Sequence, residues 1–479
     1  MDRRGVFGAA IAGVSILAGC TLAPKYVRPE APVAETFPEG PEEAQELHAS
    51  DLGWRDVFAD ERLQRLIEIA LDNNRDLRVA ALNVERFQAQ YRIELSPLFP
   101  AVNASGQATF QELPAAIPSS RFAPKEQYAA NLNVTAWELD LFGRIRSLSE
   151  AALERYFASR ETQRSVHIAL VAQVAIAHFQ ERAAARQLEL ARQTLELVRE
   201  SYRLTRRSFE MGVASELDLR TAESQVETAR FNLALYEQRH AQAVNGLTLL
   251  LGTPIPEDLP QGEPLESISV RTDLPPGLPS DLLQRRPDIL AAEHQLKAAN
   301  ASIGAARAAF FPRISLTGAA GFASTELDQL FSGDSFTWNF VPRIDIPIFQ
   351  GGRLRASLDV AEITKSIEIA TYERTIQQAF REVADALVAR KAIEERVQAQ
   401  AARVAANQRR YELAERRYRA GVDSYVTLLT AQRDLYASQQ ALIDAHLERL
   451  ANVADLYRAL GGGWLETSQR TARAEEADG

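Results

Sequence analysis

Two stretches of 68 residues, 144–211 and 353–420, contain no glycine and no proline. A chain spared its helix breakers over that span is free to run as one helix, and 68 residues at 1.5 Å each rise about 100 Å. An ordinary globular core has no use for such a length. Both stretches stop at the same punctuation, Met211-Gly212-Val213 and Ala420-Gly421-Val422. Leu188, Ala191, Leu195, Val198, Tyr202, Thr205 and Phe209 recur at alternating intervals of three and four before the first break. Leu219, Ala222, Val226, Ala229, Leu233 and Tyr236 do the same after it. The second copy carries a looser version, with Val397, Val404, Tyr411, Ala414 and Tyr418, then Leu428, Ala431, Leu435, Ser438 and Leu442. Heptads on either side of a glycine turn predict antiparallel coiled-coil hairpins. Most of these apolar stripes are simply core; their functional content is the shape they impose.

The agreement between the halves extends along the chain. A shift of 212 superposes Asp76-Leu77 on Asp288-Ile289, Phe99-Pro100 on Phe311-Pro312 and Gly106 on Gly318. A shift of 209 superposes Gly143-Arg144 on Gly352-Arg353, Tyr202 on Tyr411, Ser215 on Ser424 and Leu251-Gly252 on Leu460-Gly461. One register held over more than a hundred residues identifies a duplicated unit, far longer than a solenoid repeat.

Four segments have the opposite period. In 102–111, 128–136, 313–322 and 336–348 apolar and polar residues alternate, which predicts strands with one apolar face. In the second, Tyr128, Ala130, Leu132, Val134 and Ala136 form that face. About ten residues suffice to cross a bilayer when tilted. Alternation alone fits a soluble sandwich at least as well, and the N-terminus decides for the membrane. Residues 1–20 hold a short basic start, an apolar run from Val6 to Ala18, and Leu17-Ala18-Gly19-Cys20, which resembles a bacterial lipobox. Cys20 is the sole cysteine of the 479 residues, so lipidation there is expected and an intrachain disulfide or thiolate zinc site is excluded. Residue 21 is Thr rather than the Asp associated with inner-membrane retention, which favours the outer membrane. A lipid-exposed sheet must have no free edge. Four strands cannot close a barrel, so several copies must contribute: two chains give eight strands, three twelve, four sixteen. The polar row Asn103, Ser105, Gln107, Asn131, Asn133, Ser315 and Thr317 implies a water-filled lumen. A formal charge of −10 gives nucleic-acid binding no electrostatic support.

The chain resembles the TolC-like outer membrane factors of bacterial efflux systems, and within them the NodT-type lipoprotein branch that serves resistance-nodulation-division pumps. The residues that carry the resemblance span nearly the whole chain. They include Cys20, then Trp54, Phe58, Asp60, Leu63, Leu66-Ile67 and Ala70-Leu71 to Asn74. Arg286-Pro287-Asp288-Ile289, Phe349-Gln350-Gly351-Gly352, Tyr418-Arg419-Ala420-Gly421-Val422, Ala431-Gln432-Arg433 and Leu460-Gly461-Gly462-Gly463-Trp464 complete the set. The resemblance implies an α+β membrane protein that is a homotrimer. Long coiled-coil helices would form an α-barrel through the periplasm, and four strands per chain a twelve-stranded transmembrane β-barrel. The implied function is a passive exit duct for drugs or other small molecules, working with a periplasmic adaptor and an inner-membrane pump. Acylated Cys20 would anchor in outer-membrane lipid.

Residue roles follow from the same resemblance. The tips that meet the adaptor would be Gly212, Val213 and Ser215 with Gly421, Val422 and Ser424, although each glycine is equally well explained as a helix C-cap. Tyr418 and Asp218 match a pair that links neighbouring helices near the closed aperture. Where the family often has an acidic ring this chain has Thr427 and Thr430, so an acidic cation site is not expected. Val426 and Leu429 would narrow the aperture sterically, and Arg433 and Asp434 would be available for salt bridges.

The expected organisation is a signal peptide over 1–19 and a lipidated strap over 20–50. The first repeat would then cover 51–260, a linker 261–285, the second repeat 286–465 and a disordered tail 466–479. The six histidines show no metal spacing, and no HExxH, P-loop, dinucleotide fingerprint or GxSxG is present. Neither enzymatic activity nor a cofactor is expected. Three other classes compete: an adaptor, which duplication and bilayer-length strands disfavour; a type I protein-secretion duct, which shares the architecture; and a periplasmic scaffold, against which the polar-lined strands speak.

Overall fold

The computed structural model describes residues 21–38, 48–112, 114 and 124–468. Cys20, the signal segment, residues 39–47 of the strap, most of the 112–126 loop and residues 469–479 of the tail lie outside them.

The chain opens with short helices α1 (Trp54–Val57), α2 (Glu61–Asn73) and α3 (Arg75–Leu95), then strands β1 (Val102–Phe110) and β2 (Glu126–Leu139). Helices α4 (Arg144–Glu210) and α5 (Glu216–Leu251) follow, and then α6 (Pro279–Arg285) and α7 (Pro287–Ala308). Strands β3 (Arg313–Ser324) and β4 (Phe336–Asp345) lead into α8 (Arg353–Arg419) and α9 (Tyr425–Ala459). The two stretches without Gly or Pro each form one 67-residue helix, α4 and α8. No helix among the described residues is long and apolar enough to cross a membrane.

Two compact units divide the chain, and each draws on both repeats. One takes residues 21–30, Asn83–Arg160 and Ala291–Glu373; the other takes 31–38, 48–82, Glu161–Leu290 and 374–468. In the second unit Trp54, Phe58, Leu63, Leu66 and Ile67 are fully buried with Phe179 and Tyr457. The Tyr457 hydroxyl donates to Leu52 O at 2.7 Å, so its polar end is not stranded. The Asp60 carboxylate caps α2 through the amides of Arg62 and Leu63, and its other oxygen meets buried His178 Nε2 at 2.9 Å. Burial alone would raise that carboxyl's pKa; the imidazole and the two amides outweigh it and hold it below the usual range.

The duplication is visible contact by contact. Asn74 Nδ2 donates to Leu250 O at 2.8 Å, and Arg286 Nη1 to Ala459 O at 2.9 Å, between equivalent positions of the two repeats. Gly252 and Gly461 both take positive φ at the ends of α5 and α9. A Cβ on Gly252 would run into the backbone of Asn73, and one on Gly461 would sit 3.2 Å from Arg285 O. The 261–285 segment is docked rather than loose: Leu265, Ile268 and Leu274 are buried, and Arg271 N donates to Val57 O at 2.9 Å.

In the first unit Ala151, Ala298 and Ala301 pack together, small side chains that let α4 and α7 approach closely. Residues 23–28 of the strap lie along α7. Arg28 forks onto Glu293 at 3.1 and 2.7 Å, Tyr26 donates to the same carboxylate, and Asn300 holds Pro24 O at 2.7 Å. Ala23 sits against Gly304, where a Cβ would stand 2.7 Å from Ala23 N.

The four strands form one antiparallel sheet in the order β1-β2-β3-β4. Asn103 pairs with Asn133, which pairs with Ala319, which pairs with Asn339; one rung on, Ala104, Leu132, Ala320 and Trp338 align. One face therefore carries amides, hydroxyls and small residues, with Val341 as an apolar exception, and the other is apolar and aromatic. β2 departs from the sequence expectation at Ala136. A bulge between Val134 and Trp137 puts Thr135 and Ala136 opposite the single residue Thr317. Ala136 takes φ 50° there and its amide donates to Thr317 Oγ1 at 3.1 Å. The extra residue resets the alternation, so Trp137 and not Ala136 returns to the apolar face, and the strand continues to Leu139. β4 stops at Asp345, short of the expected 348, with Pro347 just beyond.

Candidate functional site

Each hairpin turn is built by the same local chemistry. Gly212 takes φ 78° and donates to Phe209 O at 2.8 Å, while Val213 N donates to Ser208 O at 2.8 Å. Gly421 takes φ 72° and donates to Tyr418 O at 2.9 Å, while Val422 N donates to Arg417 O at 2.9 Å. Both are Schellman ends. A Cβ at either glycine would meet nothing within 4 Å, so the positive φ alone selects glycine. Three residues later Ser215 and Ser424 cap the return helices through the amides of Asp218 and Thr427. The turns leave Val213 and Val422 exposed, with Met211 and Leu217 beside the first. Arg417 forks onto Asp423 at 2.7 and 2.9 Å and braces the second.

The proposed aperture residues do not share one environment. The Asp218 carboxylate accepts from Ser215 N at 3.2 Å and Ser215 Oγ at 2.7 Å, so within the chain it closes a capping box. Tyr418 is half-buried against Ala222, Ala414, Tyr425, Leu428 and Leu429, its ring 5.7 Å from that of Tyr425. No Tyr418–Asp218 hydrogen bond forms within the chain among the described residues. Val426, Thr427, Thr430 and Arg433 are exposed. Leu429 differs from expectation: it is 7% exposed, because α5 and α8 bring Ala222 and Ala414 over it. Val426, at 59%, is the apolar side chain presented there. Asp434 is already paired with Arg410 at 2.6 Å, whereas Arg433 has no ion-pair partner among the described residues. Tyr425, buried at the centre of this cluster, was not singled out by the sequence. Its position as the first residue of α9, directly after the Ser424 N-cap, is the available signal. Cys20 lies outside the described residues.

The sheet, in the other compact unit, is a second candidate site. Both its outer strands, β1 and β4, lack a partner on one edge among the described residues. Leu132, Phe336, Trp338, Phe340 and Ile344 stand exposed on the apolar face. In water such a face and two bare edges are an aggregation hazard; in lipid, with the edges paired, they are what a barrel wall requires. Among the described residues no group of three or more His, Cys, Asp or Glu side chains is placed to hold a metal.

Comparison with known proteins agrees with this architecture. The family model described as "Outer membrane efflux protein" matches residues 66–253 and 278–462. The antibiotic efflux pump outer membrane protein ArpC of Pseudomonas putida is 53% identical over 466 residues, covering 96% of each chain. The toluene efflux pump outer membrane protein TtgC of Pseudomonas putida is 52% identical over the same length and coverage. Among solved structures, the open state of the Neisseria gonorrhoeae MtrE outer membrane channel superposes with a TM-score of 0.85 at 42% identity. That superposition covers 94% of this chain and 100% of the channel's.

Proposed function

The chain belongs to the outer membrane efflux protein family, and from that membership we infer that it is the outer-membrane duct of a tripartite efflux system. It is a transport protein, not an enzyme, and its place is the outer membrane. Three copies pair β4 of one with β1 of the next and close twelve strands around a polar bore. The long helices continue the conduit into the periplasm. The turns at Gly212-Val213 and Gly421-Val422 receive a periplasmic adaptor, and a proton-driven inner-membrane pump loads the duct. Val426, Thr427, Thr430 and Arg433 stand at the aperture, and acylated Cys20 adds a lipid anchor. Drugs, solvents and similar small molecules are the cargo class, as the printed names of the relatives suggest.

The observation that carries this reading is the open four-stranded sheet, apolar on one face, amide-lined on the other, with two unpaired edges. Deletion of the gene is expected to sensitise the cell to antibiotics and toluene, and the wild-type copy to restore resistance. Unchanged susceptibility together with loss of an exported protein would replace the efflux assignment with a type I secretion duct.

A further inference from the structure

The polar face of the sheet is uncharged along nearly its whole length. From Thr109 and Gln127 at the hairpin end through Asn131, Asn133, Ala319 and Asn339 it carries only amides, hydroxyls and small residues. Charge appears on this face only in the last two rungs, where β2, β3 and β4 approach the helices. There Glu138 and Arg343 both pair with Ser315, and Arg313 pairs with Asp345.

The charges do not cancel. Arg144, from the start of α4, grips Glu138 with Nε and Nη2, each at 2.8 Å. Arg313 Nε reaches the same carboxylate at 2.8 Å, so one anion serves two guanidiniums. Arg343 is tied to Asp345 at 2.9–3.0 Å. Three arginines face two carboxylates, which leaves one positive charge per chain. Glu138 is sunk beneath its partners at 10% exposure, while Arg313 and Arg343 stand out at 55% and 72%. Arg313 approaches Glu138 through Nε, and no hydrogen bond from its terminal nitrogens is found among the described residues. In the same cavity lining, Asp140 is matched by Arg146 and Arg353 has the neutral Gln350 as its partner, so neither neighbour removes the excess.

We propose that this cluster is an anion-attracting collar at the helical end of the bore, and that Arg313 and Arg343 set the charge preference of the duct. The inference rests on the duct reading above. Repeated around a closed barrel, the excess becomes a ring of guanidinium charge at the end of an otherwise neutral, low-dielectric-walled bore. A ring of one sign in such a bore concentrates solutes of the other. The ligand class is carboxylates, phosphates and sulfonates, whose oxygens match the guanidinium fork. Neutral solvents would pass without interaction.

The test is the chloride-to-potassium permeability ratio of the purified full-length protein in planar bilayers, read from the reversal potential under a KCl gradient. The wild-type channel is expected to favour chloride. Arg343→Gln should lower the ratio by about twofold or more, and Asp345→Asn should raise it. Both side chains are largely exposed, and neither substitution strips Glu138 of a partner. Arg313→Gln, which leaves Glu138 with Arg144, should act in the same direction as Arg343→Gln. All three shifts should shrink in 1 M salt, where the screening length falls to about 3 Å. Asn339→Gln, on the neutral part of the same face, should leave the ratio unmoved. A potassium-selective wild type, or a ratio that Arg343→Gln and Asp345→Asn leave unchanged or move in the same direction, overturns the collar while the duct stands. A folded wild-type protein that conducts nothing overturns the duct itself, and the collar with it.

Discussion

His167 shows how one side chain ties stability to pH in this molecule. It packs edge-on to Trp464, 4.9 Å between ring centroids, while Arg164 covers the same indole at 5.5 Å. Burial pushes its pKa down to about 4, despite the opposing effect of a hydrogen bond to the Gly463 backbone carbonyl. An unfolded histidine titrates near 6.5. Below that pH the unfolded chain binds a proton that the folded one refuses. The histidine's contribution is therefore complete above about pH 6.5 and drains away as pH falls towards about 4, by roughly 3 kcal/mol at most. Denaturant unfolding of the detergent-solubilised protein at stepped pH should show that slope, and His167→Gln should flatten it; an identical slope in the variant would remove His167 from the account. The depressed Asp60 carboxyl works lower, losing its contribution only as pH drops through its own folded-state pKa. At this scale the sequence spoke clearly where the demand is local. Gly212, Gly421, Ser215 and Ser424 answer to a positive φ or an orphan amide within a few residues. Leu429 was opaque, because what buries it comes from Ala222 and Ala414 on other helices.

At the scale of elements, the faces of β4 make the sharpest contrast. Asn339 and Phe340 are neighbours in sequence and point to opposite sides of the sheet. A lysine on a lipid-facing strand costs about 2–4 kcal/mol at mid-bilayer, while one facing water in the lumen costs little. Phe340→Lys should therefore deplete the assembled oligomer in outer-membrane fractions, and Asn339→Lys should leave it near wild-type levels. Equal depletion by both would mean that the two faces do not see different solvents. The lengths of α4 and α8 were legible to within a residue, since only Gly and Pro punctuate so long a run. The strands were legible through their alternation, but the bulge at Ala136 was not. An extra residue is defined by the strand opposite, and nothing in residues 128–136 alone announces that Thr317 will face two partners.

At the scale of the whole molecule, duplication was plain in the sequence, but its use was not. The repeats do not fold side by side as two bodies. Each compact unit takes segments from both, and equivalent contacts such as Asn74–Leu250 and Arg286–Ala459 recur in one of them. Such pairings join residues more than 170 positions apart, which no local pattern encodes. The number of copies was likewise undetermined by counting strands, because eight, twelve and sixteen all close. The central claim is that this chain's four strands are part of a wall finished by identical chains. Native mass spectrometry of the protein extracted from outer membranes tests it most directly. The account predicts a complex of three chains, and a protein found only as a monomer, or as a complex of two, would contradict it.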